Sequence, residues 1–250
     1  MAQIVKIGII GCGGIANGKH MPALKAQKDV EMVAFCDIIE ERAQKAAKEF
    51  GTPDAKVYTD YRQLLEDKSI DVVHVLTPNR SHSLITVDAL EAGKHVYAEK
   101  PCALREADLD AILATAARTG QRFHEMAGSA FLQPYRELRR LVLAGTIGTV
   151  VQVWAQKSYP WHERRPPDEG IDGGLLMQVG VHAVRFIEHT TGLRAEPLAA
   201  METAVGNPET AGRCRRASQW MMRLSNGGLA CAIANYCNPN TSFGSWGNEH

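Results

Sequence analysis

Apolar and polar positions alternate in blocks along the first half of the chain, and the blocks predict short buried strands separated by helices. Strands are predicted at residues 4–10, 31–37, 57–58, 70–76, 94–98 and 122–126. The stretches between them predict helices at residues 40–50, 60–66, 81–92 and 105–119, several of which end at a glycine. Strands that alternate with helices in this way are typical of a Rossmann-type, doubly wound parallel sheet of the α/β class.

The pattern changes after residue 126. A helix is predicted at residues 134–143, and strand signals follow at 149–157, 198–205 and 218–236, the last with a hairpin turn at Asn226-Gly227-Gly228. One further helix is predicted at residues 181–190. We therefore predict two domains: residues 1–126 with the parallel sheet, and residues 127–250 as an α+β domain with a mostly antiparallel open sheet.

Composition excludes several classes of protein. The 250 residues are 45% hydrophobic and carry 28 Lys and Arg against 28 Asp and Glu, so no net charge favours nucleic acid or a membrane surface as partner. No apolar run is long enough to cross a bilayer. The six cysteines suit a reducing compartment, which predicts a cytoplasmic protein. No Cys-x-x-Cys or His-Glu-x-x-His spacing points to a metal.

A glycine-rich turn follows the first predicted strand and is the strongest local sign of chemistry. Gly11 permits the tight turn, Gly13 lets the backbone approach a pyrophosphate, and Ala16 allows the next helix to pack closely on the strand. The helix start, with Gly14 and Ile15, offers backbone amides to an anion. The turn predicts a dinucleotide site.

Asp37 closes the second predicted strand, where an acidic side chain can accept hydrogen bonds from the ribose hydroxyls of a dinucleotide. A carboxylate at this position would repel a 2′-phosphate. We therefore expect NAD as cofactor, with NADP less favoured.

Polar segments also follow two later strands, at residues 77–82 and 99–101. Because the carboxyl ends of parallel strands meet at one edge of a sheet, these segments should converge with the glycine turn. By themselves they also fit an ordinary turn and an exposed ion pair. The candidate cofactor-binding residues here are Thr77, Asn79, His82, Glu99 and Lys100.

Together these segments resemble the glucose–fructose oxidoreductase, inositol dehydrogenase and rhizopine-catabolism (Gfo/Idh/MocA) family along essentially the whole chain. The matching segments are residues 8–16, Asp37, Thr77-Pro78-Asn79-x-x-His82, Ala92-Gly93-Lys94-His95-Val96, Glu99-Lys100-Pro101, Gly145-x-Ile147-Gly148 and Gly173-Gly174-x-Leu176-x-x-x-Gly180-x-His182. Glu-Lys-Pro after Gly-Lys-His-Val is the most specific of them.

The resemblance implies an NAD(P)-dependent oxidoreductase that acts on a sugar, a cyclitol or a related cyclic alcohol, and a full-length form that is a homo-oligomer. It also implies that Lys100 reaches the nicotinamide ribose and the reacting hydroxyl, and that His182 is the catalytic acid or base. Such a role suits an imidazole with a reference pKa of about 6.5. A purely structural role for His182 stays open.

Two positions depart from the family pattern, which carries aspartates four residues before and three residues after the histidine. Here they are Gln178, which can bind a substrate hydroxyl but cannot accept a proton, and Arg185. These losses favour an alternative, a non-catalytic dinucleotide-binding regulatory protein of the same fold.

Residues 159–167, with Gln178, resemble the branch of the family that oxidises cyclic dihydrodiols of aromatic acids. Arg164 or Arg165 could then bind a substrate carboxylate through two hydrogen bonds, although two arginines beside prolines also fit a solvated loop. Family members usually continue beyond the length of this chain. We therefore expect the second domain to be incomplete at its C-terminus, which leaves an inactive truncated fragment as a further alternative.

Overall fold

The computed structural model describes residues 4–126, 128, 132–160, 168–206, 214–237 and 248–249. The chain forms two compact units, residues 1–126 and 127–250. Within the described residues, each unit contains one sheet.

The first unit is a six-stranded parallel sheet in the order β3-β2-β1-β4-β5-β6. Its strands are β1 (Val5–Ile10), β2 (Val30–Cys36), β3 (Lys56–Tyr58), β4 (Val72–Val75), β5 (His95–Ala98) and β6 (Phe123–Glu125). The order reverses between β1 and β4, as in a doubly wound sheet. The predicted fold class of this unit is therefore confirmed.

Helices cover both faces of this sheet. They are α1 (Met21–Lys25), α2 (Glu40–Phe50), α3 (Tyr61–Glu66), α4 (His82–Glu91) and α5 (Glu106–Thr119). Side chains of a strand point alternately to opposite faces, so Ile9 of β1 packs with α1 and α2, whereas Ile10 packs with α3, α4 and α5. These two hydrophobic clusters pack on opposite faces of the sheet and hold the carboxyl end of β1, which the glycine turn follows.

The second unit is a five-stranded sheet in the order β11-β7-β10-β9-β8. Its strand pairs are antiparallel except that of β7 with β10, so the predicted mostly antiparallel sheet is confirmed. Its strands are β7 (Gln152–Ser158), β8 (Ala195–Thr203), β9 (Ala217–Leu224), β10 (Leu229–Asn235) and β11 (Asn248–Glu249), and its helices are α6 (Gln133–Leu143), α7 (Glu169–Asp172) and α8 (Val181–Thr191). Trp220 and Met222 of β9 pack beneath α8 in the core. On the other face of the same strand Met221 is exposed.

Three local features differ from the predicted elements. The segment after the glycine turn begins as a π-helical turn at residues 16–20 and only then becomes α1. The short helix α7 and a second π-helical turn at residues 176–180 precede α8. All three are too short for a periodic pattern of apolar residues to reveal. Among the helices that the structure describes, none is long and apolar enough to span a lipid bilayer.

Candidate functional site

The glycine turn is fixed between two neighbouring strands. Gly11 has a φ of +95°, and a Cβ atom there would lie 2.7 Å from the carbonyl carbon and oxygen of Leu76. Its amide donates a hydrogen bond to the Cys36 carbonyl at 2.8 Å. Only glycine combines this φ with so close an approach to the chain after β4.

Beyond Gly11 the turn opens to solvent. A Cβ atom on Gly13 or Gly14 would meet nothing within 4 Å. These two glycines line a pocket of about 280 Å³, whose other lining residues are Cys12, Asn17, Arg42 and Lys45. Arg42 and Lys45 are cations on α2, so the pocket combines accessible backbone with positive charge. A pyrophosphate fits this chemistry.

The Asp37 carboxylate lies behind the turn. One oxygen, Oδ2, accepts a hydrogen bond from the Cys12 amide at 2.8 Å, and Oδ1 accepts from the Ile39 amide at 2.9 Å. Asp37 is 8% exposed. Besides any contact with a ribose, this carboxylate therefore ties the glycine turn to the end of β2, a role that its position in the sequence did not reveal.

The cysteines in this unit are buried thiols. Burial, together with the nearby carboxylate of Asp37, raises the pKa of both Cys12 and Cys36 to about 12. Burial and the charge of Glu125 raise the pKa of Cys102 to about 12 as well. All three are neutral thiols at physiological pH, so none of them is a nucleophile.

His82 joins the two polar segments that follow β4 and β5. Its Nδ1 lies 2.7 Å from the Pro101 carbonyl oxygen and its Nε2 lies 2.6 Å from the Thr77 carbonyl oxygen. His82 is 1% exposed, so its ring contacts both segments from the interior of the unit. This geometry shows that His82 ties the two segments together, and its predicted contact with a cofactor stays a prediction. Asn79 begins a short 3₁₀ turn at residues 79–81.

Glu99 and Lys100 follow β5 on the same edge. The Glu99 amide donates to the Val75 carbonyl at 2.9 Å, which continues the pairing of β4 and β5. The Glu99 side chain is not half of an exposed ion pair: the residue is 8% exposed, Oε1 accepts from His20 Nε2 at 2.7 Å, and Oε2 accepts from the Lys100 amide at 3.0 Å.

The charge state of Glu99 follows from these contacts. Burial alone would raise its pKa, but the hydrogen bond and charge of His20 and the charge of Lys100 outweigh it, so the pKa of Glu99 is lowered. Glu99 is therefore a buried, ionised carboxylate that accepts a hydrogen bond from His20 Nε2.

In the second unit, His182 lies in the first turn of α8, and Gln178 lies in the π-helical turn before it. Gly180 brings this turn against the sheet, since a Cβ atom there would lie 2.6 Å from the Trp220 ring. The His182 ring is 6.3 Å from the ring of Tyr159, centroid to centroid. The α8 helix also carries Arg185.

The Gln178 amide is held by two buried groups that the sequence did not single out. Its nitrogen donates to Asp172 Oδ2, and its oxygen accepts from the Tyr236 hydroxyl at 3.4 Å. Asp172 is 8% exposed and lies at the end of α7. A carboxylate is thus present near Gln178, six residues earlier in the chain. Only the unpredicted helix α7 brings it there.

Lys157 of β7 is a buried lysine in this unit, 6% exposed, with its Nζ 5.0 Å from the centre of the Tyr159 ring. Alternation along β7 could have placed it on the inner face, but its charge argued against burial. Arg164 and Arg165, the predicted carboxylate-binding residues, lie outside the described residues. Among the side chains that are described, no group of three His, Cys, Asp or Glu could hold a metal ion.

Comparisons with known proteins match both units. Residues 5–127 match the family described as "Oxidoreductase family, NAD-binding Rossmann fold" (Gfo/Idh/MocA), and residues 135–246 match the "GFO/IDH/MocA C-terminal domain". A solved oxidoreductase domain protein from Kribbella flavida superimposes with a TM-score of 0.86 at 27% identity, covering 96% of this chain and 69% of that one.

Several relatives have named activities, among them the following two. A dTDP-3,4-didehydro-2,6-dideoxy-alpha-D-glucose 3-reductase from Streptomyces violaceoruber is 34% identical over 189 residues, which are 74% of this chain and 54% of the relative. An inositol 2-dehydrogenase from Salmonella typhimurium is 33% identical over 150 residues, which are 60% of this chain and 44% of the relative. The chain therefore spans about half the length of these relatives.

Proposed function

Because this chain belongs to the Gfo/Idh/MocA oxidoreductase family, we propose that it is an NAD(P)-dependent oxidoreductase. Its substrate is a small molecule, a sugar, cyclitol or cyclic diol, and the reaction takes place at a carbon that bears a hydroxyl. The observation that carries the proposal is the glycine turn, which is open at Gly13 and Gly14 and lined by two cations.

The first unit supplies the residues for the cofactor. Backbone at Gly13, Gly14 and Ile15 would hold the pyrophosphate, with Arg42 and Lys45 near its charge. Thr77 and Asn79 belong to a segment that His82 ties to the end of β5. The cofactor, when bound, supplies the hydride acceptor or donor.

We favour NAD over NADP. Asp37 puts a carboxylate at the end of β2, where it would bind ribose hydroxyls and repel a 2′-phosphate. Arg42 and Lys45 are the countervailing feature, because the same cations could attract that phosphate. The test must therefore compare both nucleotides.

The reaction needs two further groups. When hydride leaves the carbinol carbon, the hydroxyl proton must be removed and the negative charge that develops on oxygen must be stabilised. We propose that the Lys100 ammonium stabilises this negative charge and that the His182 imidazole accepts the proton. Gln178, oriented by Asp172 and Tyr236, would bind a neighbouring substrate hydroxyl.

One observation favours a second candidate, a dinucleotide-binding regulator without turnover. The amide of Gln178 cannot accept a proton, and in this structure it is already engaged by Asp172. Turnover decides between the two. The cysteine content suits a reducing cytoplasm. We also expect the full-length protein to be a homo-oligomer.

The first experiment is a thermal melt of the chain alone, with NADH and with NADPH. We expect a larger rise in melting temperature with NADH. No shift with either nucleotide would contradict the cofactor proposal. If NADH binds, turnover of NAD with myo-inositol and a panel of sugars and cyclic diols is measured next, with Lys100→Ala as the inactive control. Binding without turnover by wild type supports the regulator.

A further inference from the structure

We propose that His20 is a positioning residue for Lys100: it holds the Glu99 carboxylate, and that carboxylate in turn holds the Lys100 backbone amide. The inference rests on the proposed function, in which the Lys100 side chain acts on cofactor and substrate. No sequence motif links the two residues.

The geometry forms a continuous chain of contacts. His20 Nε2 lies 2.7 Å from Glu99 Oε1, and the other oxygen of the same carboxylate accepts from the Lys100 amide at 3.0 Å. His20 is 6% exposed and Glu99 is 8% exposed. Buried, charge-assisted hydrogen bonds are short and directional, so the carboxylate has little freedom to rotate.

The position of His20 in the fold makes this contact informative. His20 is the last residue of the π-helical turn that begins at Ala16, directly after the glycine turn. Asn17, in the same turn, donates through its side chain to the Cys12 and Gly13 carbonyls at 2.7 and 2.8 Å. One short segment therefore holds both the glycine turn and, through Glu99, the residue after β5.

The surroundings of His20 keep its ring in place. His74 lies edge-on to it at 6.1 Å between ring centres, and Tyr97 at 6.2 Å. His74 and Tyr97 are on adjacent strands, β4 and β5. With rings on these sides and the Glu99 carboxylate at Nε2, His20 acts as a rigid support.

Positioning at this point matters for chemistry. A misplacement of about 1 Å in a reacting group can cost about a hundredfold in rate. Lys100 follows directly after the residue that His20 holds, and Pro101 fixes the chain on its other side through its carbonyl contact with His82. The loss of the His20 contact should therefore move Lys100 and leave the glycine turn intact.

The first test needs no nucleotide. In His20→Leu we expect hydrogen exchange of the Lys100 amide to become about tenfold faster, the cost of one charge-assisted hydrogen bond. Amides of β4 and β5 should keep their protection. His20→Gln, whose amide can still donate to Glu99, should restore most of the protection, and His124→Leu, on β6, serves as the control.

The second test compares the binding of ADP with that of NADH by calorimetric titration. ADP reports the glycine turn, whereas NADH also reaches the residues after β5. We expect His20→Leu to weaken NADH by about tenfold and ADP by less than twofold. If His20 acts through Lys100, adding His20→Leu to Lys100→Ala should weaken NADH no further.

Three outcomes overturn the proposal: unchanged Lys100 exchange in His20→Leu, equal losses of ADP and NADH, or additive losses in the double variant. If His20→Leu does not fold, Glu99→Gln tests the same link from the other side and should also speed Lys100 exchange. If wild type binds neither nucleotide, the proposed function fails, and the exchange experiment still decides the role of His20.

Discussion

The Asp37 carboxylate combines an observed structural contact with a proposed role in binding the cofactor. It accepts hydrogen bonds from the Cys12 and Ile39 amides, which fix the glycine turn, and it is the candidate ligand for a ribose. Carboxylate oxygens accept more than one hydrogen bond each, so the two uses are compatible. The turn would then be held in shape before any nucleotide arrives.

We therefore predict that Asp37→Ala weakens NADH by about tenfold or more and NADPH by less, because it removes the ribose acceptor and the repulsion of a 2′-phosphate together. Fluorescence titration with both nucleotides measures this. Asp60→Ala is the matched control, since Asp60 also accepts from a backbone amide, that of Arg62, at the start of α3. Equal losses for the two nucleotides would contradict the ribose assignment.

Lys94 shows how a residue of a segment that matches the family can have a structural role. It is 3% exposed, and its Nζ donates to the Asp67 carbonyl at 2.6 Å and to the Ile70 carbonyl at 3.0 Å. Burial lowers the pKa of Lys94, followed by the charge of Lys68. The ammonium therefore joins the end of α3 to the approach to β4.

We expect Lys94→Met to cost about 2 kcal/mol of unfolding free energy, because two buried carbonyls lose their donor. Urea denaturation measures the change. The exposed neighbour Lys68 gives the control, since Lys68→Met should change stability by less than about 0.5 kcal/mol. An unchanged free energy of unfolding in Lys94→Met would contradict this prediction and would show that water replaces the ammonium as donor to the two carbonyls.

At the scale of elements, a row of rings crosses three adjacent strands. His74 of β4 stacks on Tyr97 of β5 at 4.8 Å, and Tyr97 stacks on His124 of β6 at 5.0 Å. Burial, and then the charge of His20, lowers the pKa of His74 to about 3. The stack therefore contains a neutral imidazole down to strongly acidic pH.

This arrangement makes the first unit sensitive to acid. Below pH 6.5 the unfolded chain takes up a proton on His74 and the folded chain does not, so stability from this residue falls as pH drops from about 6.5 towards 3. The variant His74→Phe keeps an aromatic ring in the stack but has no group that can take up a proton. When the pH is lowered from 7 to 4, the free energy of unfolding of the variant should fall by up to about 3 kcal/mol less than that of wild type.

Urea unfolding at the two pH values measures this difference, with His124→Phe as the matched control. His124 is the exposed ring at the end of the same stack, and its replacement should leave the acid sensitivity unchanged. Equal losses in wild type and His74→Phe would contradict a neutral, buried His74.

The same scale shows what could be predicted from the sequence. All six strands of the first unit are predicted from the sequence, and the two longest, β1 and β2, are largely apolar runs, as is typical of buried parallel strands. The helix α7 was missed because four residues hold no period, although Asp168 caps it by accepting from the Gly170 amide at 2.8 Å. Because α7 is not predicted, the contact of Asp172 with Gln178 is not predicted either.

For the candidate site, the sequence identified groups that adjoin strand ends and missed their partners. Glu99 and His20 are 79 residues apart, and only the packed sheet edge brings them together. Asp37 was predicted as a ligand, but its hydrogen bond to the turn depends on the register of β1 and β2. Pairings of this kind are set by tertiary structure and leave no local pattern.

At the scale of the whole molecule, the proposed cofactor residues all belong to the first unit. We therefore predict that saturating NADH slows hydrogen exchange in the amides of residues 8–17, 37–45, 77–82 and 99–100. At a hundred times Kd the stabilisation should reach about 2.7 kcal/mol. ADP should protect the first two segments only. Protection spread evenly over both units would contradict this assignment.

The distribution of thiols has a practical consequence. Five of the six cysteines are buried, and Cys237, directly after Tyr236, is exposed. A maleimide dye or nitroxide should therefore attach at one position without any engineering of the chain. A label there lies in the second unit, whereas the glycine turn lies in the first. Energy transfer from Cys237 to a fluorescent nucleotide would then measure the distance between the two units in solution.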